Sequence, residues 1–204
     1  NASIDSKITP VMINQFKKNH YDFSIHVSAP VTEPPFVDNV LAGFPDLNKE
    51  TPGRTVLDRD NQITQDMIAF LKHHKESGRP FFGFLFYDAL HSASAAPSLT
   101  SPFSPSASIN YFTLTHRTNP TPFFNRYKNA AYYDDQLIQQ VLTTLQQQHL
   151  MDNTVVIFTG DHGQEYNDTG KNYWEHGDNY AYWQTHTPLI VHWPHHKPTT
   201  YDYP

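Results

Sequence analysis

The order of apolar and polar positions divides the chain into alternating helical and extended stretches. Thr9 reads as a helix N-cap and Pro10 as the first helical residue. Val11, Met12, Ile13 and Phe16 then give an apolar side, followed by the polar Lys17-Lys18-Asn19-His20. From Tyr21 to Ser28 the period changes to two, with Tyr21, Phe23, Ile25 and Val27 on one face, which predicts a strand. Residues 29–60 carry Pro30, Pro34, Pro35, Pro45 and Pro52, which break any long element. A second helix is expected after Asp60, where Ile63, Met67, Phe70 and Leu71 recur at helical spacing up to Ser77-Gly78. Pro80 to Tyr87 is an apolar run without alternation, the pattern of a strand buried on both faces of a parallel sheet.

Residues 92–122 are rich in Ser, Ala, Thr and Pro. A structureless loop of that length is uncommon inside a compact domain, so the segment is expected to be a functional lid or a mobile insert. Residues 123–149 read as a helix, with Tyr127, Ala130, Leu137, Ile138, Val141, Leu142 and Leu145 on one side. Thr154 to Phe158 predicts a short buried strand, 159–186 a polar loop, and Pro188 to Trp193 a last strand. Strands alternating with helices predict an α/β fold, a mostly parallel sheet flanked by helices with right-handed crossovers. The strands are few for a closed doubly wound domain. Residues 1–204 are therefore expected to be the C-terminal portion of one domain, truncated at the N-terminus.

Composition narrows the function. Aromatic residues make up 14% of the chain and carry much of the burial, with tyrosine hydroxyls that need polar partners. A net charge of −6 with no basic stripe argues against a nucleic-acid partner. With no cysteine, these residues offer no disulfide, no thiolate metal site and no cysteine nucleophile. No apolar run approaches the roughly 20 residues of a membrane-spanning helix. The polar start, Asn1 to Lys7, lacks the apolar core of a signal peptide. A membrane anchor, if the parent protein has one, is expected outside these residues.

Ligands of open α/β sheets bind beyond the carboxyl ends of the strands. Asp88 and His91 sit at such a place, after Tyr87, and Thr159-Gly160-Asp161-His162-Gly163 at another, after Phe158. A third polar cluster follows, Tyr173-Trp174-Glu175-His176-Gly177-Asp178-Asn179. Gly160 and Gly163 give the turn the freedom to let Asp161 and His162 converge. A carboxylate beside an imidazole suits Zn or Mn better than Ca, which prefers all-oxygen shells. The competing readings are a polar capping turn for Asp161-His162 and a core-edge histidine for His91. His73-His74 and His195-His196 read as solvated surface pairs.

Taken together these stretches are more specific than any one of them. A strand followed by T-G-D-H-G-Q-E, then W-E-H-G, then T-P-L-I-V-H-W-P resembles the sulfatase-like branch of the alkaline-phosphatase superfamily. The stretch from Phe82 to His91 and the Arg59-Asp60 pair strengthen the likeness. Within that branch the chain resembles the periplasmic domains of YejM/PbgA-type inner-membrane proteins of Gram-negative bacteria. The resemblance implies an alkaline-phosphatase-like sheet and a divalent metal, Zn, Mn or Mg and possibly Ca, held by Asp161 and His162. It also implies that His176 and His91 line the site for a phosphate or sulfate group. The nucleophile and first metal-binding acid of the family have no counterpart in these residues. A metal-dependent hydrolase or transferase of phosphate or sulfate esters is the implied function. The alternative is a catalytically silent periplasmic domain that binds an anionic lipid such as lipid A or cardiolipin and regulates lipopolysaccharide synthesis or cardiolipin homeostasis.

Overall fold

The computed structural model describes residues 8–32, 36–74, 76–93 and 102–201. Helix α1 spans Val11–Lys18 and leads into strand β1, Asp22–Val27. Pro10, not Thr9, occupies the N-cap of α1 and supplies no side-chain bond, so the expected threonine cap is absent. Lys17 and Lys18 sit in the last turn, where positive charge complements the helix dipole.

Helix α2 spans Val56–His74, starting earlier than expected. Its start is a reciprocal cap. Thr55 Oγ1 accepts from the Asp58 N–H at 3.1 Å, and the Asp58 carboxylate accepts from the Thr55 N–H at 3.0 Å. The pattern T-x-x-D was present in the sequence, but Asp60, read as the boundary, is a fully buried residue inside the helix. His74 at the helix end is buried as well, correcting its reading as a surface residue. Its Nε2 donates to the Arg79 carbonyl at 2.8 Å, and its ring packs on Phe70 and Phe81.

Strand β2, Phe81–Phe86, pairs in parallel with β1, Asp22 opposite Phe81 and Val27 opposite Phe86. Helix α3, Thr121–Gln147, packs along α2. Between α2, β2 and α3 lies the main apolar cluster, Met67, Leu71 and Leu145, with Phe81, Leu85, Val141 and Val156 against it. A second cluster, Ala89, Ala93 and Ala130, joins the turn after β2 to α3. Residues 94–101 of the expected insert lie outside the described residues. The part that follows is hydrogen-bonded to α3 through Asn125 to the Pro105 carbonyl and Asn129 to the Phe103 carbonyl.

Strand β3, Val156–Thr159, pairs antiparallel with β6, Leu189–His192. The expected polar loop between them holds two short strands, β4 (Glu165–Tyr166) and β5 (Trp174–Glu175), paired antiparallel, and the one-turn helix α4, Tyr182–Thr185. The described strands thus form three two-stranded sheets, one parallel and two antiparallel, rather than the mostly parallel sheet expected. Hydrophobic patterning does not encode strand direction, and two-residue strands are too short to show alternation. The predicted two-sided burial of β2 and β3 is also not seen. On the face of β2 turned away from α2, Phe82 packs on Phe16 of α1 and Phe86 on Phe36, while Phe84 between them is exposed, as is Ile157 on β3.

A three-histidine candidate metal centre

Three segments deliver the site. His91 follows β2, His162 follows β3, and His176 follows β5. Their rings meet: His162 stacks on His176 with centroids 4.0 Å apart, and His91 lies 5.0 Å from His176 and 6.1 Å from His162. One nitrogen from each ring lies within 4.8 Å of the other two.

Each ring is oriented through Nδ1. The His162 Nδ1 lies 2.9 Å from the Gly163 carbonyl, which can accept and not donate, so Nδ1 carries the proton. His176 Nδ1 meets the Gln164 side-chain oxygen at 3.0 Å. His91 Nδ1 lies 3.4 Å from the Asp88 carboxylate. An acceptor on Nδ1 leaves Nε2 with its lone pair, the arrangement that protein metal sites use to fix a histidine ligand. The donor set is three imidazoles, which fits Zn better than Mn, Mg or Ca.

Asp161 stands beside the cluster. Its Oδ1 accepts from the His162 N–H at 3.1 Å and lies 3.9 Å from His162 Nε2, while the side chain is mostly exposed. The fold therefore brings His91, His162 and His176 into one group and leaves the Asp161 carboxylate at its rim.

The electrostatics differ from ring to ring. The Asp88 hydrogen bond raises His91 above the usual histidine range despite some burial. Burial lowers His176, and the neighbouring His162 and His91 push it further down. Stacked imidazoles cannot all carry charge, so the cluster favours neutral His176.

A buried carboxylate holds the loop that carries His176. Glu165 is fully enclosed and takes four hydrogen bonds: from the Thr169 N–H and hydroxyl (3.1 and 2.5 Å), from Asn179 (2.8 Å) and from Gln184 (3.0 Å). Burial alone would raise its pKa, but these donors outweigh burial and leave it lowered. Gln184 also accepts from the Gly177 N–H at 3.0 Å, and its backbone carbonyl takes the Gly163 N–H at 2.8 Å. Gly163 is needed here for space, since a Cβ would strike the Trp183 carbonyl. Tyr111 reaches across from the segment before α3 and donates to Glu175, next to His176. Gln164 and Glu165 stand in the T-G-D-H-G-Q-E stretch, and no local pattern there signals either role.

A family model described as Sulfatase matches residues 11–204. The chain belongs to the sulfatase family. Among solved structures, this sulfatase-family chain is similar to the lipoteichoic acid synthase LtaP from Listeria monocytogenes. The two are 16% identical with a TM-score of 0.63, over 97% of this chain and 49% of that one. It also matches the putative sulfatase yidJ from Bacteroides fragilis, at 19% identity and TM-score 0.47, over 66% of this chain and 31% of that one. The phosphonate monoester hydrolase SpPMH from Silicibacter pomeroyi matches at 20% identity and TM-score 0.44, over 91% and 42%. The sulfatase-family chain thus spans less than half the length of each of these proteins. The LtaP similarity supports the fold.

Proposed function

We propose that this chain is the metal-holding portion of a divalent-cation-dependent enzyme that hydrolyses or transfers phosphate or sulfate esters. The observation that carries the reading is the convergence of three histidines, each with Nδ1 against an acceptor. His162, with Asp161 beside it, holds the cation. His91 and His176 face the same ion and the anionic oxygens of its ligand. A divalent cation there would neutralise developing negative charge and activate a nucleophile. In its protonated form, which the Asp88 carboxylate favours, His91 would instead donate from Nε2 to a non-bridging oxygen. The nucleophile is assigned to none of these residues.

A second reading rests on a different observation. Phe112 is fully exposed and Tyr111 is 59% exposed, on a turn whose Tyr111 touches Glu175 beside the cluster. An apolar ledge at the mouth of an anion-binding site suits an anionic lipid such as lipid A or cardiolipin. On this reading the chain is a periplasmic lipid-binding regulator of the YejM/PbgA type, part of an inner-membrane protein. Among the described residues no helix is long and apolar enough to cross a membrane.

Elemental analysis after exposure to Zn, Mn or Mg tests the shared core of both readings. Stoichiometric metal in the wild type and its loss in His162→Ala are expected. Equal metal in both would remove the site. Turnover of p-nitrophenyl phosphate or sulfate then supports the enzyme, whereas metal and vesicle binding without turnover support the regulator.

A further inference from the structure

We propose that Asp60 and Asp134 form one buried acid–carboxylate pair, sharing a single proton, and that this pair positions the turn carrying His91. The inference rests on the reading that His91 belongs to the reacting site.

Asp60 lies on α2 and Asp134 on α3, and both are enclosed, at 0% and 3% exposure. Both oxygens of Asp60 are committed to backbone just beyond β2. Oδ1 accepts from the Asp88 N–H at 3.0 Å and Oδ2 from the Ala89 N–H at 2.8 Å. Ala89 in turn packs in the small cluster with Ala93 and Ala130. Asp88 then reaches His91 Nδ1 through Oδ1, and Arg59 and Ser92 through Oδ2. Asp60 is thus the backbone anchor of the turn from which His91 projects.

Asp134 has no comparable partner. Written as a carboxylate, neither of its oxygens meets a donor, yet its side chain lies in hydrogen-bonding contact with Asp60. Two ionised carboxylates in contact inside a protein are strongly unfavourable. A single proton resolves both problems. Protonated Asp134 donates to Asp60, which stays charged and keeps its two backbone bonds.

The surroundings agree. Arg59 on α2 is engaged with the Ser28 carbonyl at 2.8 Å and with Asp88 at 3.4 Å, not with Asp134. From β1 and the residue after it comes only the Ser28 hydroxyl, beside Asp60. After β2 come Tyr87 and Asp88, and on α3 Tyr133 precedes Asp134. Burial raises both carboxyls, Asp134 more than Asp60, and the nearby Asp88 adds to the rise. The same burial and negative neighbours push Tyr87 and Tyr133 up to about 12. The three aspartates do not form a cation ligand set. Among the described residues the group of that kind is the three histidines.

Infrared spectroscopy and ¹⁵N-histidine NMR on the full chain test the pair without metal or substrate, so the result stands apart from the test of enzymatic function. The wild type at neutral pH should show a protonated carboxyl C=O band that Asp134→Asn loses. The amide introduced by Asp134→Asn would still donate to Asp60, so the His91 ring signals should stay in place in that variant and move in Asp134→Leu. Raising the pH until the band disappears should move His91 in the wild type beyond the change of its own titration, whereas Asp134→Asn should show the His91 titration alone, an arm that holds even if Asp134→Leu does not fold. A wild type with no protonated carboxyl at neutral pH overturns the shared proton. His91 signals indifferent to loss of that band overturn the positioning role.

Discussion

His162 and His176 stack ring on ring, 4.0 Å between centroids and 27° between planes, and neither is close to the other in sequence. The contact joins the end of β3 to the end of β5, so the two strand pairs meet in the site. It also keeps two nitrogen donors on one side, which a cation can use and two protons cannot. Removing either ring should therefore weaken metal binding more than removal of an orienting group, which alone costs roughly 10–100-fold in typical sites. His162→Ala and His176→Ala are each expected to lower zinc affinity by about 100-fold or more. Competition against a coloured chelator reads this directly, and unchanged affinity in both variants would mean that the cluster is not the metal site.

Gln164 and Asp88 provide a finer test, because each touches a ring through Nδ1 and has no place in the ligand set itself. Gln164→Leu leaves His176 in place but removes its acceptor. The expected loss of zinc affinity is roughly 10–100-fold. Asp88→Asn retains an acceptor for His91 but lowers the pKa of that ring, since the carboxylate is the first cause of its rise. NMR titration of His91 should show the downward shift.

Much of this site was legible in the sequence, and the reasons differ by residue. Asp161, His162 and His91 stood just after expected strands, so the rule for ligands at carboxyl ends of strands pointed to them, whereas His176 stood in an expected polar loop and its role came from the resemblance to the sulfatase-like branch. The helices were legible too, since α1 and α3 keep an apolar stripe over their length. Asp134 was hidden by its place on such a helix, where an acidic residue between apolar positions reads as solvent-facing. Its burial depends on Asp60 from another helix, a long-range pairing that no local pattern records. Strand direction was hidden for a similar reason. The pairing of β3 with β6 reverses the chain through a stretch that reads as one polar loop.

Gly163 should be intolerant of change. A methyl group there would collide with the Trp183 carbonyl and come within 3.1 Å of the His186 carbonyl, both backbone atoms that cannot rotate away. Gly163→Ala is expected to displace the turn after His162, with metal affinity falling while the thermal midpoint drops by only a few degrees. A full-affinity Gly163→Ala protein would show that the turn moves without cost to the site.

Asp134 and Asp60 give stability an unusual pH dependence. Their folded pKa values are raised from 3.8 to about 8 and about 6, burial being the first cause in each. Between the unfolded and folded values the native state binds more protons than the unfolded chain, so stability falls as pH rises. The contribution is fully present below the ordinary aspartate range and is lost as pH passes through about 8. Urea midpoints should decline across that window in the wild type and decline less in Asp134→Asn, which cannot ionise. Parallel curves for the two proteins would count against the raised value at Asp134.

Glu165 predicts the opposite sign. Its folded pKa lies below the ordinary 4.5, because its burial, which would raise it, is outweighed by the hydrogen bonds from Thr169, Asn179 and Gln184. Its contribution is therefore present above the ordinary glutamate range and lost as pH falls through the lowered value. Glu165→Gln turns one acceptor oxygen into a donor facing Asn179 or Thr169, leaving buried donors opposed, at a cost of about 3 kcal/mol. Since Gln184 also holds Gly177 and Gly163, the loss should spread to His162 and His176. The expected signature is a lower denaturation midpoint together with weaker zinc binding, whereas Glu175→Gln, outside this network, should leave the midpoint near that of the wild type. A Glu165→Gln protein with wild-type stability and zinc affinity would mean that the loop is held by its backbone bonds alone.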